Sequence, residues 1–247
     1  MTLHSWVTVT VAVAALPTLI WLLLVSAPYG RHGRGGWGPT LGPRAGWILM
    51  ESHAVVAFLT FYLGGAHATE PAAMAMAAVW LCHYIYRTFV FPFRLRSNRP
   101  MPVSIALSGF GFNLANAYTN GRQIANEGDY TGWLSDPRFF VGLTLFGVGW
   151  AVNLHADQLL LKLRAPGETG YRVPHGGLYR WVSCPNYLGE MLEWLGWAVM
   201  TWSGAGLAFF LFTSANLVPR AIAHHAWYRK TFPDYPPDRK AIVPALL

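Results

Sequence analysis

The chain has 247 residues, of which 53% are hydrophobic and only 12% are charged, whereas an ordinary soluble domain carries about 25% charged residues. This composition excludes a typical soluble globular domain and favours an integral membrane protein. The net charge of +7 comes from basic residues scattered between apolar segments, which argues against a nucleic-acid-binding surface, and the two cysteines, Cys82 and Cys184, argue against a disulfide framework or zinc site.

Apolar segments recur along the whole chain, and we predict seven transmembrane helices. A helix needs about 20 apolar residues to cross a hydrocarbon core of about 30 Å. The predicted spans are 6–27, 46–65, 72–93, 103–118, 139–161, 187–202 and 205–228. The first span is too long for the core of a signal peptide and has no basic segment before it, so we expect it to remain in the protein. We therefore predict an all-α membrane protein in which 1–247 form a single domain.

The distribution of basic residues predicts the orientation of this bundle. Basic side chains occupy the loops after the first, third and fifth spans and the carboxyl-terminal tail; those after the first span are Arg31, Arg34 and Arg44. By the positive-inside rule, the amino terminus is expected outside and the carboxyl terminus in the cytoplasm. We expect a monomer surrounded by membrane lipid, in a bacterial inner membrane or, in a eukaryote, in the equivalent endoplasmic reticulum membrane.

Two predicted loops, 119–138 and 162–186, are longer than the others. The second is expected to be cytoplasmic, and Pro185 near its end suits the first turn of the following helix. That helix would then direct backbone N–H groups and its positive dipole end toward the loop. Gly176 and Gly177 could let the backbone approach a phosphate, although a simple turn explains an isolated glycine pair equally well.

Several predicted spans carry polar side chains on one helix face. A charged side chain at the bilayer centre costs about 2.5–3.5 kcal/mol on insertion scales, so such residues are functional candidates. A spacing of four places Asn153 with Asp157, and Asn186 with Glu190, on shared helix faces. The last span carries a continuous stripe with the same spacing. Its members are Asn216, Arg220, His224 and Tyr228.

These polar groups all fall in the predicted cytoplasmic halves of their spans, so we expect them to line one cavity open to the cytoplasm. The alternative is that they pair only with each other as contacts between helices. Asn113 and Asn116 lie toward the outer side of the fourth span, and for them we favour packing. His224 and His225 point about 100° apart on a helix and cannot both face one ion, so no metal site is predicted.

Long motifs in the second half of the chain are Asn153-Leu-His-Ala-Asp157, Gly170-Tyr171-Arg172-Val-Pro174, Cys184-Pro-Asn186-Tyr187-Leu-Gly189-Glu190, Pro219-Arg220-Ala221 and His224-His225. Two shorter motifs precede them, Trp47-Ile-Leu-Met-Glu51 and His83-Tyr84-Ile-Tyr-Arg87-Thr88. In this order the motifs resemble the steroid 5-alpha-reductase family over nearly the full chain.

This resemblance implies a seven-helix membrane enzyme that uses NADPH to reduce the 4,5 double bond of 3-oxo-4-ene steroids by hydride transfer to C5. It implies Glu51 and Tyr84 as the catalytic residues that hold the C3 carbonyl. It also implies that 1–137 form the substrate-binding helices and 138–247 the cofactor-binding part. The implied cofactor-binding residues are Arg99, Asn153, Asp157, Arg164, Arg172, Asn186, Glu190, Arg220, His224 and Tyr228.

The chemistry of enone reduction is consistent with these residue types. Hydride addition to the beta carbon places negative charge on the carbonyl oxygen, which needs hydrogen-bond donors. Tyr84 supplies a hydroxyl, and Glu51 can donate only while it is protonated. Arginine side chains match the fork geometry of the cofactor phosphates. No Gly-x-Gly-x-x-Gly segment follows a strand, so the helices themselves would have to bind the cofactor.

Three other functions remain open at the level of sequence. The Pro-Asn-Tyr-Leu-Gly-Glu turn and the carboxyl-terminal Arg/His/Tyr helix also resemble isoprenylcysteine-type methyltransferases, which bind S-adenosylmethionine. A reductase of polyprenols, enoyl thioesters or another enone lipid would suit an apolar cavity with one oxyanion site equally well. A transporter or scaffold without catalytic activity is the third alternative.

Overall fold

A computed structural model of the protein describes residues 1–95, 99–163, 168 and 170–247. Within them, two π-helical turns span Tyr86–Val90 and Gln123–Glu127, and the strands β1 (Thr40–Leu41) and β2 (Met101–Pro102) pair antiparallel. The α-helices are α1 (Leu3–Leu24), α2 (Pro43–Glu51), α3 (His53–Leu63), α4 (Pro71–Ile85), α5 (Phe91–Arg94), α6 (Val103–Arg122), α7 (Pro137–Lys162), α8 (Pro185–Thr201) and α9 (Gly204–Thr231).

Two of the predicted spans are interrupted helices. The second consists of α2 and α3, which meet at Ser52. The third consists of α4, a π-helical turn and α5, and the Phe91 N–H bonds to Tyr86 O five residues back. Pro92 has no N–H for the Thr88 carbonyl and its ring crowds that group, which accounts for a wider turn here.

Five helical stretches are long and apolar enough to cross a membrane. They are Leu3–Leu24, Pro43–Leu63, Pro71–Arg94, Pro137–Lys162 and Gly204–Thr231. In the described part of the chain, α6 and α8 do not meet the same length and hydropathy requirements. They correspond to the fourth and sixth predicted spans, and the 17 residues of α8 extend about 26 Å at 1.5 Å per residue.

The loop predicted at 119–138 is shorter than expected. Helix α6 continues to Arg122, and the π-helical turn that follows reaches Glu127. The polar residues at this end of α6 are held inside the bundle. Asn120 accepts a hydrogen bond from Trp197 Nε1 at 2.7 Å and donates to Asn116 O at 3.1 Å. Buried polar contacts therefore allow the helix to continue through a segment whose composition resembles a loop.

The helical stretches alternate in direction along the bundle. At one end, the β1–β2 pair joins the segments after α1 and α5, and Ser183 N donates to Lys240 O at 2.8 Å. At the other end, His67 N donates to Ala125 O at 2.8 Å, which joins the segments after α3 and α6. Counting α2 with α3 and α4 with α5 gives seven stretches. The loops after the first, third and fifth stretches thus lie with the carboxyl-terminal tail, and the loops after the second, fourth and sixth lie at the opposite end.

Glycines allow α7 and α8 to pack closely. A Cβ added to Gly149 would lie 2.5 Å from Glu193 N and 2.6 Å from Gly189 O. Gly142 and Gly196 meet in the same way one level farther along the pair. Small residues permit two helix backbones to approach closely. This contact places the polar faces of α7 and α8 against each other.

Aromatic rings fill the core between α3, α4, α8 and α9. Trp80 stacks on Phe58 at 4.8 Å between ring centroids and contacts Trp194 and Trp197 at 5.6 and 5.1 Å. Phe209 of α9 packs on Trp194 at 4.2 Å. All five side chains are buried, so the helices that carry the polar groups are held by a common apolar core.

Candidate functional site

A buried ionic cluster joins the third helical stretch to α7 and α8. Arg87 Nη1 donates to Asp157 Oδ2 at 3.2 Å, and Arg87 Nη2 lies 3.5 Å from Glu190 Oε2. Asn186 Nδ2 donates to Asp157 Oδ1 at 3.0 Å, and Asn153 Nδ2 donates to Asn186 O at 3.0 Å. Four of the residues implied in cofactor binding thus meet around Arg87, an in-span arginine to which the motif comparison assigns no role.

Glu51 lies at the end of α2 and faces α6. Asn113 Nδ2 donates to Met50 O at 2.8 Å and to Glu51 Oε2 at 3.3 Å. Thr88 Oγ1 donates to the Glu51 carbonyl at 3.3 Å. Asn113 was expected to serve packing alone, but the break after Glu51 brings this carboxyl level with the middle of α6. The structure therefore adds Asn113 to the surroundings of a candidate catalytic residue.

Tyr84 lies in α4 between two tryptophan rings. Its ring centroid is 4.8 Å from that of Trp80 and 5.5 Å from that of Trp194, and the side chain is 4% exposed. Trp80, four residues before Tyr84, donates to the Ala54 carbonyl at 2.7 Å, and Thr88, four residues after it, donates to the Glu51 carbonyl. The two implied catalytic residues therefore lie near each other, beside the ionic cluster.

A second group of polar side chains links α8 and α9 to the segment after α1. Arg220 Nη1 donates to Asn216 Oδ1 at 3.0 Å, and its Nη2 donates to Tyr187 OH at 3.2 Å. The Tyr187 hydroxyl lies 3.1 Å from His224 Nε2, and His224 Nδ1 lies 2.8 Å from His32 Nε2. The stripe predicted on the last span thus continues through Tyr187 and His32.

The charge of this second group resides on arginines. Burial, and then the guanidinium charges of Arg31 and Arg34, lower the pKa of His32. A hydrogen bond between two imidazoles needs an N–H on one ring and a free lone pair on the other. A neutral His32 has one nitrogen of each kind, so it can form such a bond with His224. The histidines therefore shape the site without adding to its positive charge.

Arg31 is a partly buried cation that was expected only to orient the bundle in the membrane. Its guanidinium lies over the rings of Tyr228, Trp227 and Tyr171 at 4.6, 5.0 and 5.3 Å from the centroids. Its Nη1 is buried without a hydrogen-bond partner among the described residues. In the same part of the chain, neither Arg31 nor Arg220 forms an ion pair with a carboxylate. Two such arginines fit an anionic ligand such as a pyrophosphate.

A cavity of about 150 Å³ adjoins the ionic cluster and the aromatic side chains around Arg31. Its lining includes Asp157 of the ionic cluster, Arg31 and Tyr228 from the arginine-rich side, and Arg172 from the segment before α8. Leucines of α7 complete much of the remaining wall. The cavity therefore presents a carboxylate and guanidinium groups to the same space.

A smaller cavity of about 20 Å³ lies between α1 and α9. Arg220 and His224 line it, together with Tyr29 and His32. Five of the residues implied in cofactor binding line one of these two cavities: Asp157, Arg172 and Tyr228 line the larger, and Arg220 and His224 line the smaller. Neither of these two cavities, as lined by the described residues, unites all the polar groups that the sequence predicted to share one.

Two more arginines implied in cofactor binding, Arg99 and Arg172, occupy the same end of the bundle. Arg99 lies with its guanidinium over the Tyr171 ring, 5.4 Å from the centroid. Arg172 is exposed, and its Nη2 lies 2.5 Å from Glu168 Oε1. Arg164 lies outside the described residues.

Comparison with known proteins identifies similar chains over nearly the full length. The family model for 3-oxo-5-alpha-steroid 4-dehydrogenase matches residues 99–247. A steroid 5-alpha-reductase of Gossypium hirsutum is 47% identical over 98% of this chain and 97% of its own length. A steroid 5-alpha-reductase of Arabidopsis thaliana is 41% identical over 98% of this chain and 96% of its own length. A 3-oxo-5-alpha-steroid 4-dehydrogenase 1 of Bos taurus is 40% identical over 92% of this chain and 90% of its own length. These relatives are plant and animal proteins and give no support to a bacterial origin.

Proposed function

The chain belongs to the 3-oxo-5-alpha-steroid 4-dehydrogenase family and is an oxidoreductase of the steroid 5-alpha-reductase type, and we propose that it reduces 3-oxo-4-ene steroids with NADPH. The observation that carries the choice of cofactor is the charge arrangement around the larger cavity. Arg31, which has no carboxylate partner among the described residues, lines the same cavity as Asp157. A reduced nicotinamide dinucleotide suits this arrangement. Its phosphates need cations such as Arg31, and its ribose and carboxamide groups need hydrogen-bond partners such as Asp157.

The described side chains suggest how this cofactor is held. Arg31, Arg172 and Arg220 bind the phosphates, since they supply guanidinium donors around the two cavities. The amide and carboxylate groups of α7 and α8, including Asp157 and Glu190, orient the ribose and nicotinamide part. When bound, NADPH supplies the hydride for C5 of the steroid.

Glu51 and Tyr84 hold the C3 carbonyl of the substrate in this proposal. Negative charge develops on that oxygen during reduction, and preorganised donors in a dry site stabilise it more effectively than water does. The Tyr84 hydroxyl donates directly, and a protonated Glu51 donates through Oε1. Asn113 occupies Glu51 Oε2 and thereby leaves the other carboxyl oxygen for the substrate.

We also propose that all seven helical stretches cross the membrane in a monomeric protein, with the amino terminus outside and the carboxyl terminus in the cytoplasm. The alternating directions of the stretches support seven crossings, although α6 and α8 are shorter or less apolar than the other five. The membrane is a bacterial inner membrane or the endoplasmic reticulum membrane of a eukaryote. The larger cavity and the basic loops then face the cytoplasm.

The proposal is tested with the purified chain, NADPH, and progesterone or testosterone as substrate. We expect NADPH oxidation and a 5-alpha-reduced product, resolved from the 5-beta epimer by chromatography and mass spectrometry. Activity with polyprenols or enoyl thioesters alone would assign a different enone lipid. NADPH, but not S-adenosylmethionine, should raise the melting temperature. Stabilisation by S-adenosylmethionine alone, or no NADPH oxidation with any enone, would contradict the proposal.

A further inference from the structure

A histidine–glutamate pair, to which no role has been assigned above, lies deep in the aromatic core. His83 Nδ1 and Glu193 Oε2 are 2.5 Å apart, and their side chains are 3% and 0% exposed. Glu193 Oε1 is buried without a hydrogen-bond partner in the described part of the chain. Buried polar pairs contribute little net stability because desolvation offsets their attraction, so stability alone does not account for this pair.

Both members of the pair adjoin the aromatic stack that contains Tyr84. His83 precedes Tyr84 in α4, and Glu193 precedes Trp194 in α8. The His83 ring meets Trp194 edge to face at 4.7 Å and Tyr84 at 5.0 Å. Tyr84 in turn stacks on Trp194 with an interplanar angle of 26°. The pair therefore fixes the two helices at the level where the phenol is stacked.

The ionic cluster supplies a second connection between the same two helical stretches. Arg87 follows His83 by four residues, and Glu190 precedes Glu193 by three, so the two contacts lie on the same helix faces. The Arg87–Glu190 contact lies beside the residues proposed to bind the cofactor. The His83–Glu193 pair lies beside the residue proposed to bind the substrate carbonyl. Together the two contacts fix the position of α8 relative to the helix that carries Tyr84.

We propose that the His83–Glu193 pair is a positioning element that sets the phenol of Tyr84 for the substrate carbonyl. The inference rests on the proposed function, because Tyr84 needs a defined position only if it donates to a reacting oxygen. A displacement of about 1 Å near a reacting group can reduce turnover about 100-fold. His83 and Glu193 themselves touch neither substrate nor cofactor.

The double variant His83→Phe/Glu193→Leu separates positioning from stability. Replacing both members of a buried polar pair by apolar groups usually preserves the fold, whereas removing one member leaves an unpaired polar group. We expect the melting temperature and the stabilisation by NADPH to be retained while kcat falls about 10- to 100-fold. The conservative variant Glu193→Gln can still bond to His83 and should retain the wild-type kcat.

A matched control is available at the other end of α4. His67 Nδ1 and Glu70 Oε1 form a partly exposed pair at 2.7 Å, and His67→Phe/Glu70→Leu should leave kcat unchanged. A Tyr84→Phe background provides a second measurement. If the buried pair acts through the Tyr84 hydroxyl, replacing it in that background should lower kcat no further, because coupled residues are not additive.

Each other outcome would overturn the inference. Wild-type kcat in the double variant would show that the pair has no effect on turnover, and failure of that variant to fold would assign the pair to stability. Additive losses in the Tyr84→Phe background, or a tenfold loss in Glu193→Gln, would separate its effect from the geometry of Tyr84. Absence of activity in the wild-type protein would instead contradict the proposed function, so the two failures are distinguishable.

Discussion

At the scale of single residues, the proposed chemistry depends most directly on the Tyr84 hydroxyl. Tyr84→Phe keeps the ring stacked between Trp80 and Trp194 and removes only the donor. Loss of one oxyanion donor costs about 100- to 1,000-fold in kcat. We expect that loss in steady-state assays, with unchanged stabilisation by NADPH. Tyr86→Phe, two residues away, should retain wild-type turnover, and an equal loss there would contradict the assignment.

The partly buried Arg31 is predicted to bind a cofactor phosphate. A hydrogen bond to a charged group contributes about 1.5–3 kcal/mol, and each 1.4 kcal/mol corresponds to about tenfold in affinity. Arg31→Gln should therefore raise the KM for NADPH about 10- to 100-fold and change kcat little. Arg34→Gln is the control, since Arg34 is exposed in the same segment. Equal effects of the two substitutions would indicate a general charge effect rather than a phosphate contact.

Cys184 provides a test of burial at the start of α8. Burial raises the pKa of its thiol to about 12, and only the thiolate reacts readily with maleimides. At pH 8 about one thiol in 10,000 is ionised, and this fraction grows only as the pH approaches 12. In a Cys82→Ala variant we expect slow labelling of the folded protein and rapid labelling after denaturation, measured by mass spectrometry. Rapid labelling of the folded protein at pH 8 would contradict the buried position.

Helical spacing predicted which polar residues share a face, but only part of their surroundings. The spacing of four placed Asn153 and Asp157 on one face, and the structure brings this face to Asn186 of α8. Arg31 was expected only to orient the bundle, and Asn113 only to pack between helices. Arg31 lies in a segment without periodicity, and its contacts with Tyr228 depend on how loops pack. The proximity of Asn113 to a carboxyl depends on the break that ends α2.

At the scale of helices, the close packing of α7 and α8 makes a small substitution informative. A Cβ at Gly149 would meet the α8 backbone at 2.5 Å, whereas one at Gly147 would meet nothing within 4 Å. We expect Gly149→Ala to destabilise the protein by about 1–3 kcal/mol through overpacking. Gly147→Ala should be neutral or stabilising, because alanine favours a helix over glycine by up to about 1 kcal/mol.

Thermal melts of the two glycine variants in detergent, with and without NADPH, would measure this difference. The Gly149 variant should also bind NADPH more weakly, since α7 and α8 carry the amide and carboxylate groups of the site. Equal melting temperatures for the two variants would contradict the close contact.

Helix starts were more predictable than helix interiors. Pro185 begins α8 as expected, because proline fixes a helical φ and lacks only an N–H that a first turn does not use. The π-helical turn at Tyr86–Val90 was not predicted from an apolar run that reads as one continuous span. The extension of α6 to Arg122 was missed as well, since it depends on the contact between Asn120 and Trp197.

At the scale of the whole molecule, the alternating helices make a specific prediction about α6. If α6 crosses the membrane, the segment that follows it lies opposite the carboxyl-terminal tail. If neither α6 nor α8 crosses, so that only the five longer apolar stretches do, both lie on the cytoplasmic side. Asp129 follows α6, Asp238 belongs to the tail, and both are exposed. Single cysteines at these positions, in a background without Cys82 and Cys184, therefore distinguish the two topologies.

We expect Asp129→Cys to react with a membrane-impermeant maleimide in right-side-out vesicles, and Asp238→Cys to react only in inverted vesicles. The reason is electrostatic as well as geometric, because the tail carries four basic residues, Arg229, Lys230, Arg239 and Lys240, and basic segments remain in the cytoplasm. Labelling of both cysteines in inverted vesicles alone would show that neither α6 nor α8 crosses the membrane. In that case a lipid substrate would have to reach Glu51 by a different path, because α6 helps to enclose this carboxyl through Asn113.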